Sequence, residues 1–297
     1  MDLLVVGDLN ADLVLRGGEI EPVFGQREQL VDAAELVLGG SGGIMAAGAA
    51  KLGLDVAIVA CVGTDALGTV MIDALEQAGV DTSAVARTAH AATGISVALA
   101  RPADRAILTA AGALARLRAQ DIPQELLARA RYVHVTSPFL QDGLHSGLRA
   151  LAAHARSSSL DTGWDPREEW SVPLEAFDVL LPNAEEALRL AGRTDGDVEA
   201  AARELAARGP TVVVKLGAEG ALAVHGGEIT KVAAQPVEPV DTTGAGDSFD
   251  AGFLAGRLNG ANLAEALALG CACGALSTRR SGGTAGQPTL EEARALT

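Results

Sequence analysis

Short apolar runs closed by turn-forming residues recur along the chain, starting with Leu3–Val6, which ends in Gly7-Asp8. A run this short, bounded in this way, predicts a buried strand. Similar runs predict strands at Val56–Cys61, Tyr132–Thr136, Val179–Leu181 and Thr211–Leu216, and Ser157–Leu160 places Asp161 at another strand end. Between them fall segments of helical character. These are an Ala-rich stretch over 42–52 closed by Gly53, an amphipathic one at Leu67–Gln77 stopped by Gly79, and apolar ones at Phe249–Leu258 and Asn262–Ser277. Strands alternating with helices predict an α/β fold whose mostly parallel sheet is covered on both faces.

Two segments break the rhythm. Leu13–Val37 alternates apolar and polar residues around Gly17-Gly18 and Pro22, and Ile95–Leu99 and Ala106–Thr109 flank the polar turn Arg101–Arg105. Neither has helical periodicity, so antiparallel strands are expected, forming a small projecting sheet from about residues 13–37 and 93–110. A β-rich edge of the main sheet is the alternative. No repeat or low-complexity linker divides the 297 residues, so one domain spanning 1–297 and carrying this sheet is expected.

Composition narrows the chemistry. Hydrophobic residues make up 48% and aromatics 3%, so the core is built from Ala, Val and Leu. A formal charge of −15 argues against nucleic acid or an anionic membrane as the main partner. An anionic nucleotide can still bind, because backbone amides and Mg2+ act locally. Cys61, Cys271 and Cys273 make no even-numbered disulfide framework, and buried reduced thiols are expected; a Cys-x-Cys metal pair is the sharper alternative. Lys51 and Asp55 interrupt the most apolar region, and the first apolar run is too short for a signal peptide, so a soluble cytoplasmic protein is expected.

The run Asp241-Thr242-Thr243-Gly244-Ala245-Gly246-Asp247-Ser248-Phe249 opens the apolar helix at 249–258. Glycines let backbone N–H groups approach an anion, and a helix N-terminus adds partial positive charge. An aspartate repels phosphate, so its presence there makes sense if it takes a proton from a hydroxyl that then attacks a phosphoryl group. The alternative is a turn with Asp as a helix N-cap. Residues 241–249 resemble the C-terminal signature of the ribokinase-like family, also called phosphofructokinase-B-type carbohydrate kinases.

That resemblance implies a three-layer α/β/α sandwich with a small antiparallel β lid, and an ATP- and Mg2+-dependent sugar kinase. It implies Asp247 as general base and an anion hole built from Gly244, Ala245, Gly246 and the Asp247 amide. A nucleoside kinase of the same family is the alternative, and a silent sugar-binding regulator a further one. An NAD-dependent dehydrogenase is disfavoured because Phe249 stands where a third glycine would be. Asn10 and Asp12, after the first strand, and Gly39, Gly40 and Ser41, before an Ala-rich helix, resemble the family's substrate contacts. Asn10 and Asp12 could equally form a turn. Arg167, in the Asp161–Arg167 segment, would lie near the transferred phosphate.

The nucleotide side is implied in the same way. Asn183 and Glu186 resemble the Asn-x-x-Glu motif that organises Mg2+ through water, although the same spacing makes a capping box. Lys215, Gly217 and Gly220 resemble the strand-turn near the nucleotide; a lysine at a strand end is by default solvated. Thr243 would also touch ATP, and Gly274 would leave room for adenine. Asp241 and Thr243 match a monovalent-cation site, so K+ is an expected cofactor. The lid could pair two copies into a homodimer.

Two positions depart from the family pattern. Ile44 replaces an asparagine that bonds a sugar hydroxyl, and Thr136 replaces an acidic residue of ribokinases proper, which makes ribose a less expected substrate. Arg105 in the lid turn is by default solvated, Trp164 and Trp170 are expected to pack, and His134 is expected to be a satisfied core histidine.

Overall fold

The computed structural model describes residues 1–18, 20–101 and 104–297, with side chains left aside at 100, 101, 104 and 105, so the Arg105 expectation falls outside them. In chain order the first half runs β1 (Leu3–Val6), β2 (Asn10–Arg16), β3 (Ala33–Gly39), α1 (Ser41–Lys51), β4 (Val56–Val59), β5 (Cys61–Gly63), α2 (Ala66–Gln77), β6 (Ala86–Thr88), β7 (Ile95–Arg101), β8 (Asp104–Ala110), α3 (Gln124–Arg129) and β9 (Tyr132–Thr136). The second half runs α4 (Asp142–His145), α5 (Leu148–His154), β10 (Ser158–Asp161), β11 (Val179–Leu180), α6 (Ala184–Leu190), α7 (Val198–Ala206), β12 (Thr211–Lys215), β13 (Ala221–His225), β14 (Glu228–Val232), α8 (Ala245–Leu258), α9 (Leu263–Ser277) and α10 (Leu290–Arg294).

Among the described residues the main sheet has eight strands in the order β14-β13-β12-β11-β10-β9-β1-β4. From β4 to β12 all neighbours pair in parallel, while β12, β13 and β14 form an antiparallel edge that the apolar pattern did not reveal. Side chains that alternate along each strand feed two separate cores. Leu3 and Val5 join Met45 of α1, Leu75 of α2, Phe253 of α8 and Leu267 of α9. Leu4 and Val6 join Leu127 of α3, Leu148 of α5, Leu190 of α6 and Leu205 of α7. Burial on both faces explains why the strands read as unbroken apolar runs and why helices sandwich the sheet.

The projecting sheet is present, in the order β3-β2-β7-β8, but it is not purely antiparallel. The β2–β3 and β7–β8 pairs are antiparallel hairpin-like pairs, whereas β2 and β7 run parallel, Ala11 opposite Ile95. A hairpin dictates antiparallel pairing only for consecutive strands; β7 returns after an excursion through α1, β4 and α2, so its direction is set by tertiary packing. The sheet also begins earlier than Leu13. Asn10 and Asp12, read as closing the first strand, belong to β2, with Asn10 opposite Gly39. Leu36, Ile107 and Leu108 stand exposed on it.

All three cysteines are buried and free, as expected. Among the described residues no helix is long and apolar enough to cross a membrane.

Candidate active site

The 241–249 loop enters α8 through Gly244, the N-cap, whose left-handed backbone (φ 70, ψ 9) admits no side chain. A Cβ there would lie 2.8 Å from Gly283 Cα and 2.9 Å from Ile44 Cγ2. No side chain caps the first turn of α8. No side-chain oxygen meets its opening amides, of which that of Ala245 donates to the Thr242 carbonyl (3.3 Å), and the positive end of the helix dipole faces the loop. The loop itself is stitched to the following helix. The amides of Val240 and Asp241 both donate to the Thr278 carbonyl (2.8 and 3.1 Å), and the Asp241 carboxylate accepts the amides of Thr243 and Gly282 (2.9 Å each). Burial pushes the Asp241 carboxyl up, but those two amides outweigh it and hold it below the usual carboxylate range.

Asp247 sits in that first turn. The Ser41 side chain stands close enough to its carboxylate to favour the charged form. Burial, with the negative charges of Asp161 and Asp8, pushes it up to about 8, against the opposing pull of Lys215. Ser41 opens α1 on the other side of the site. The amides of Ser41 and Gly42 donate to the two oxygens of Asp8 (3.0 and 3.1 Å), and Thr136 Oγ1 donates to the same carboxylate (3.0 Å). Asp8 thus caps α1 from across the sheet, and Thr136, the second departure noted above, is its partner. Sequence reasoning passed over Asp8, although a Gly-Asp closing the first apolar run was the available signal.

The expected substrate-side residues converge here. Gly40 (φ 82) brings the chain so close to β2 that a Cβ would lie 2.7 Å from Asn10 Oδ1 and 2.8 Å from the Asp8 carbonyl. Asn10, almost fully buried, donates to Asp12 Oδ1 (2.9 Å) and Ser96 Oγ (3.0 Å). Polar side chains of β1's exit, β2 and β7 thus gather around the glycine run that opens α1, and Asp8 and Ser41 of that corner stand near Asp247. Ile44 does not: it is 3% exposed and turned between Gly244 and Gly283, with its carbonyl accepting from Gln287 Nε2 (2.8 Å).

Lys215 is the largest surprise. Instead of a solvated strand-end lysine it is a buried one, its side chain 11% exposed. Nζ lies 2.7 Å from Asp161 Oδ2 and 3.1 Å from Asp250 Oδ2. The ends of β10 and β12 bring Asp161 and Lys215 together, and Asp250 follows Asp247 by one helical turn, so the trio forms beneath the base. Asp250, a carboxylate inside an apolar helix, was a legible signal that sequence reasoning missed. Beside it, Asn183 and Glu186 form the capping box of α6, with reciprocal bonds of 2.9 Å. Glu186 is buried and pushed up to about 7, first by burial and then by Asp161.

Other expected residues fall less centrally. Gly217 and Gly220 bracket the tight turn after β12, where the Leu216 amide donates to the Gly220 carbonyl (2.8 Å). At Gly274 a Cβ would lie 3.0 Å from the Ala245 carbonyl, so the missing side chain is used for close packing of α9 on α8 rather than leaving open space. Arg167 is drawn away: Nη2 donates to the Phe139 carbonyl (2.8 Å) and to Asp142 Oδ1 (2.7 Å). Asp165 fixes that loop by accepting the amides of Arg167, Glu169 and Trp170. Trp170 packs as expected, while Trp164 is 44% exposed against it. His134 is only half satisfied: Nδ1 meets Ser159 Oγ at 2.7 Å, Nε2 has no partner, and burial holds the ring near 4, hence neutral.

Asp161 and Lys215 end parallel strands, and Asp8 and Glu186 follow the carboxyl ends of two others, the side on which open α/β sheets bind ligands. Carboxylate and amide oxygens at Glu186 and Asn183 suit Mg2+, which takes hard oxygen ligands and keeps waters. Among the described residues no group of three or more His, Cys, Asp or Glu could hold a metal ion.

Comparison with known proteins covers the whole arrangement. The sequence model of the pfkB family carbohydrate kinases matches residues 1–290. A ribokinase of Haemophilus influenzae is 28% identical, over 98% of this chain and 96% of that protein. The crystal structure of a putative ribokinase II from E. coli in complex with ATP and Mg2+ has a TM-score of 0.86 at 25% identity, over 99% of this chain and 98% of that one. The adenosine kinase of Sinorhizobium meliloti has a TM-score of 0.85 at 26% identity, over 99% and 98%.

Proposed function

The chain belongs to the pfkB family of carbohydrate kinases, ATP-dependent phosphotransferases, and from that premise we propose that it phosphorylates a hydroxyl of a small sugar or sugar-like alcohol with Asp247 as general base. The observation that carries this reading is the position of Asp247, in the side-chain-uncapped first turn of α8 with Ser41 and Asp8 close by. A carboxylate there stands at an anion-attracting helix end, beside Asp8 and Ser41.

In the transfer step, the acceptor O–H breaks and its proton passes to Asp247. The oxygen bonds to the terminal phosphorus of ATP as the bond to the bridging oxygen breaks, and that electron pair leaves with ADP. The amides of Ala245, Gly246 and Asp247 receive the negative charge on the transferred group, and positioning supplies most of the acceleration. Mg2+, as in the E. coli neighbour, would neutralise phosphate charge, with Asn183 and Glu186 orienting it through water. A monovalent cation at the 241–243 loop would rest chiefly on main-chain carbonyls, because both Asp241 oxygens already accept amides. The exposed Leu36 and Leu108 support pairing of two copies through the projecting sheet, which light scattering would test.

Asp247→Asn is expected to abolish sugar phosphorylation while binding of a non-hydrolysable ATP analogue, followed calorimetrically, persists. Turnover near the wild-type rate in that variant would refute the base assignment. The acceptor is sought by screening aldoses, ketoses and nucleosides. The likeness to an adenosine kinase keeps nucleosides in that panel.

A further inference from the structure

Lys215 has spent its ammonium inside the protein. Two carboxylates hold it, Asp161 at 2.7 Å and Asp250 at 3.1 and 3.3 Å, and the trio is almost shut off from solvent. The same Nζ lies 3.6 Å from where a Cβ of Gly246 would stand, so it presses against the opening turn of α8. A lysine offered to a phosphate would instead keep its charged head free, as a mobile point charge.

We propose that Lys215 is a positioning residue of the phosphoryl transfer: clamped by Asp161 and Asp250 against the first turn of α8, it holds that turn and sets a positive charge beside Asp247. This rests on the reading of Asp247 given above. The groups facing Asp247 are Asp8 from the turn after β1, Ser41 from α1, Asp161 from β10 and Lys215 from β12, with Asp250 on its own helix; Glu186 of α6 lies beyond, against Asp161 and Lys215. Lys215 is the one cation among them. Without it, only acidic groups would surround the base, and Asp247 would hold its proton still more tightly.

The test is the pH dependence of kcat. Asp247 must be ionised to act, so activity falls on the acid side as it protonates. Lys215→Met removes a neighbouring positive charge and is expected to move that acid limb upward by roughly one pH unit or more. Asp161→Asn removes a neighbouring negative charge and is expected to move it downward. Lys215→Arg is expected to restore the limb toward wild type. Opposite displacements from the two partners of one ion pair are not what a merely structural role produces. Lys215→Met is also expected to lower kcat near neutrality while leaving KM for ATP unchanged.

Should Lys215→Met fail to fold, Lys215→Met/Asp161→Asn removes both charges together and carries the test with Asp161→Asn alone. The double variant is expected to return the limb toward its wild-type position. An unmoved limb in the folded variants, or a raised KM for ATP with kcat intact, overturns the proposal. If Asp247→Asn itself stays active, the base assignment fails. If that variant is dead while Lys215→Met leaves the limb in place, only the inference about Lys215 fails.

Discussion

Asp241 Oδ2 accepts the backbone amide of Gly282 at 2.9 Å, joining two segments 41 residues apart in the chain. Together with the Thr243 amide on its other oxygen, this bond shapes the loop that leads into α8.

Asp241→Ala leaves both amides without their acceptor and is expected to cost about 1–3 kcal/mol. The Asp241 carboxyl titrates below its ordinary value, because the amides of Gly282 and Thr243 outweigh burial. Its contribution is therefore present above the unfolded carboxyl pKa of about 4 and lost as pH falls through the lower folded value. Melting curves should show the wild-type advantage over Asp241→Ala shrinking as the solution becomes more acidic. A difference independent of pH would contradict this.

Asp247 has the opposite sign. Burial pushes it up to about 8, so the folded state favours the protonated form. Stability tied to this group is complete below the unfolded value of about 4 and drains away as pH rises toward about 8. Asn does not titrate. Asp247→Asn is expected to raise the melting temperature, with a gain that is small near pH 4 and largest at pH 8 and above. A gain that shrank over that range would show that the side chain is ionised at little cost.

Gly244 and Gly246 should respond differently to the same substitution. Gly244→Ala forces a left-handed alanine, costing about 1–2 kcal/mol, and drives its methyl against Gly283. At Gly246 the nearest atom to a Cβ is Lys215 Nζ at 3.6 Å, an ordinary contact. Gly246→Ala should therefore melt close to wild type, while Gly244→Ala melts clearly lower. Equal losses would mean that the Gly244 turn relaxes to accept a side chain.

Ile44 is 3% exposed and seals the seam between Gly244 and Gly283. Truncation to alanine is expected to cost about 2–5 kcal/mol, measured by urea unfolding, and to reduce turnover by loosening the loop ahead of α8. Ile44→Asn should be at least as harmful, since it buries an amide in an apolar seam. A well-folded Ile44→Asn variant with improved sugar turnover would show that the position faces the acceptor after all.

The layered α/β architecture was legible because strands buried on two faces and helices buried on one leave different apolar periods, which survive in any single sequence. The Gly-rich loop ahead of α8 was legible for a related reason, that few residues other than glycine can adopt its backbone. The ion pairs of Lys215 were not legible because nothing local announces its partners: Asp161 lies on a different strand and Asp250 on a later helix. The partners of Arg167, Asp142 and the Phe139 carbonyl of a neighbouring segment, were hidden for the same reason.

By itself, then, the sequence determined the parallel strands, several of the helices, their layering and the residue types available at the ends of the strands, since these follow from periodicity and from backbone geometry within a few residues. Only the tertiary structure decided which charges meet, that β2 and β7 run side by side, and that Ile44 turns inward between two glycines. Ion pairing and close packing depend on distances between segments far apart in the chain, and those distances exist only once the sheet has brought them together.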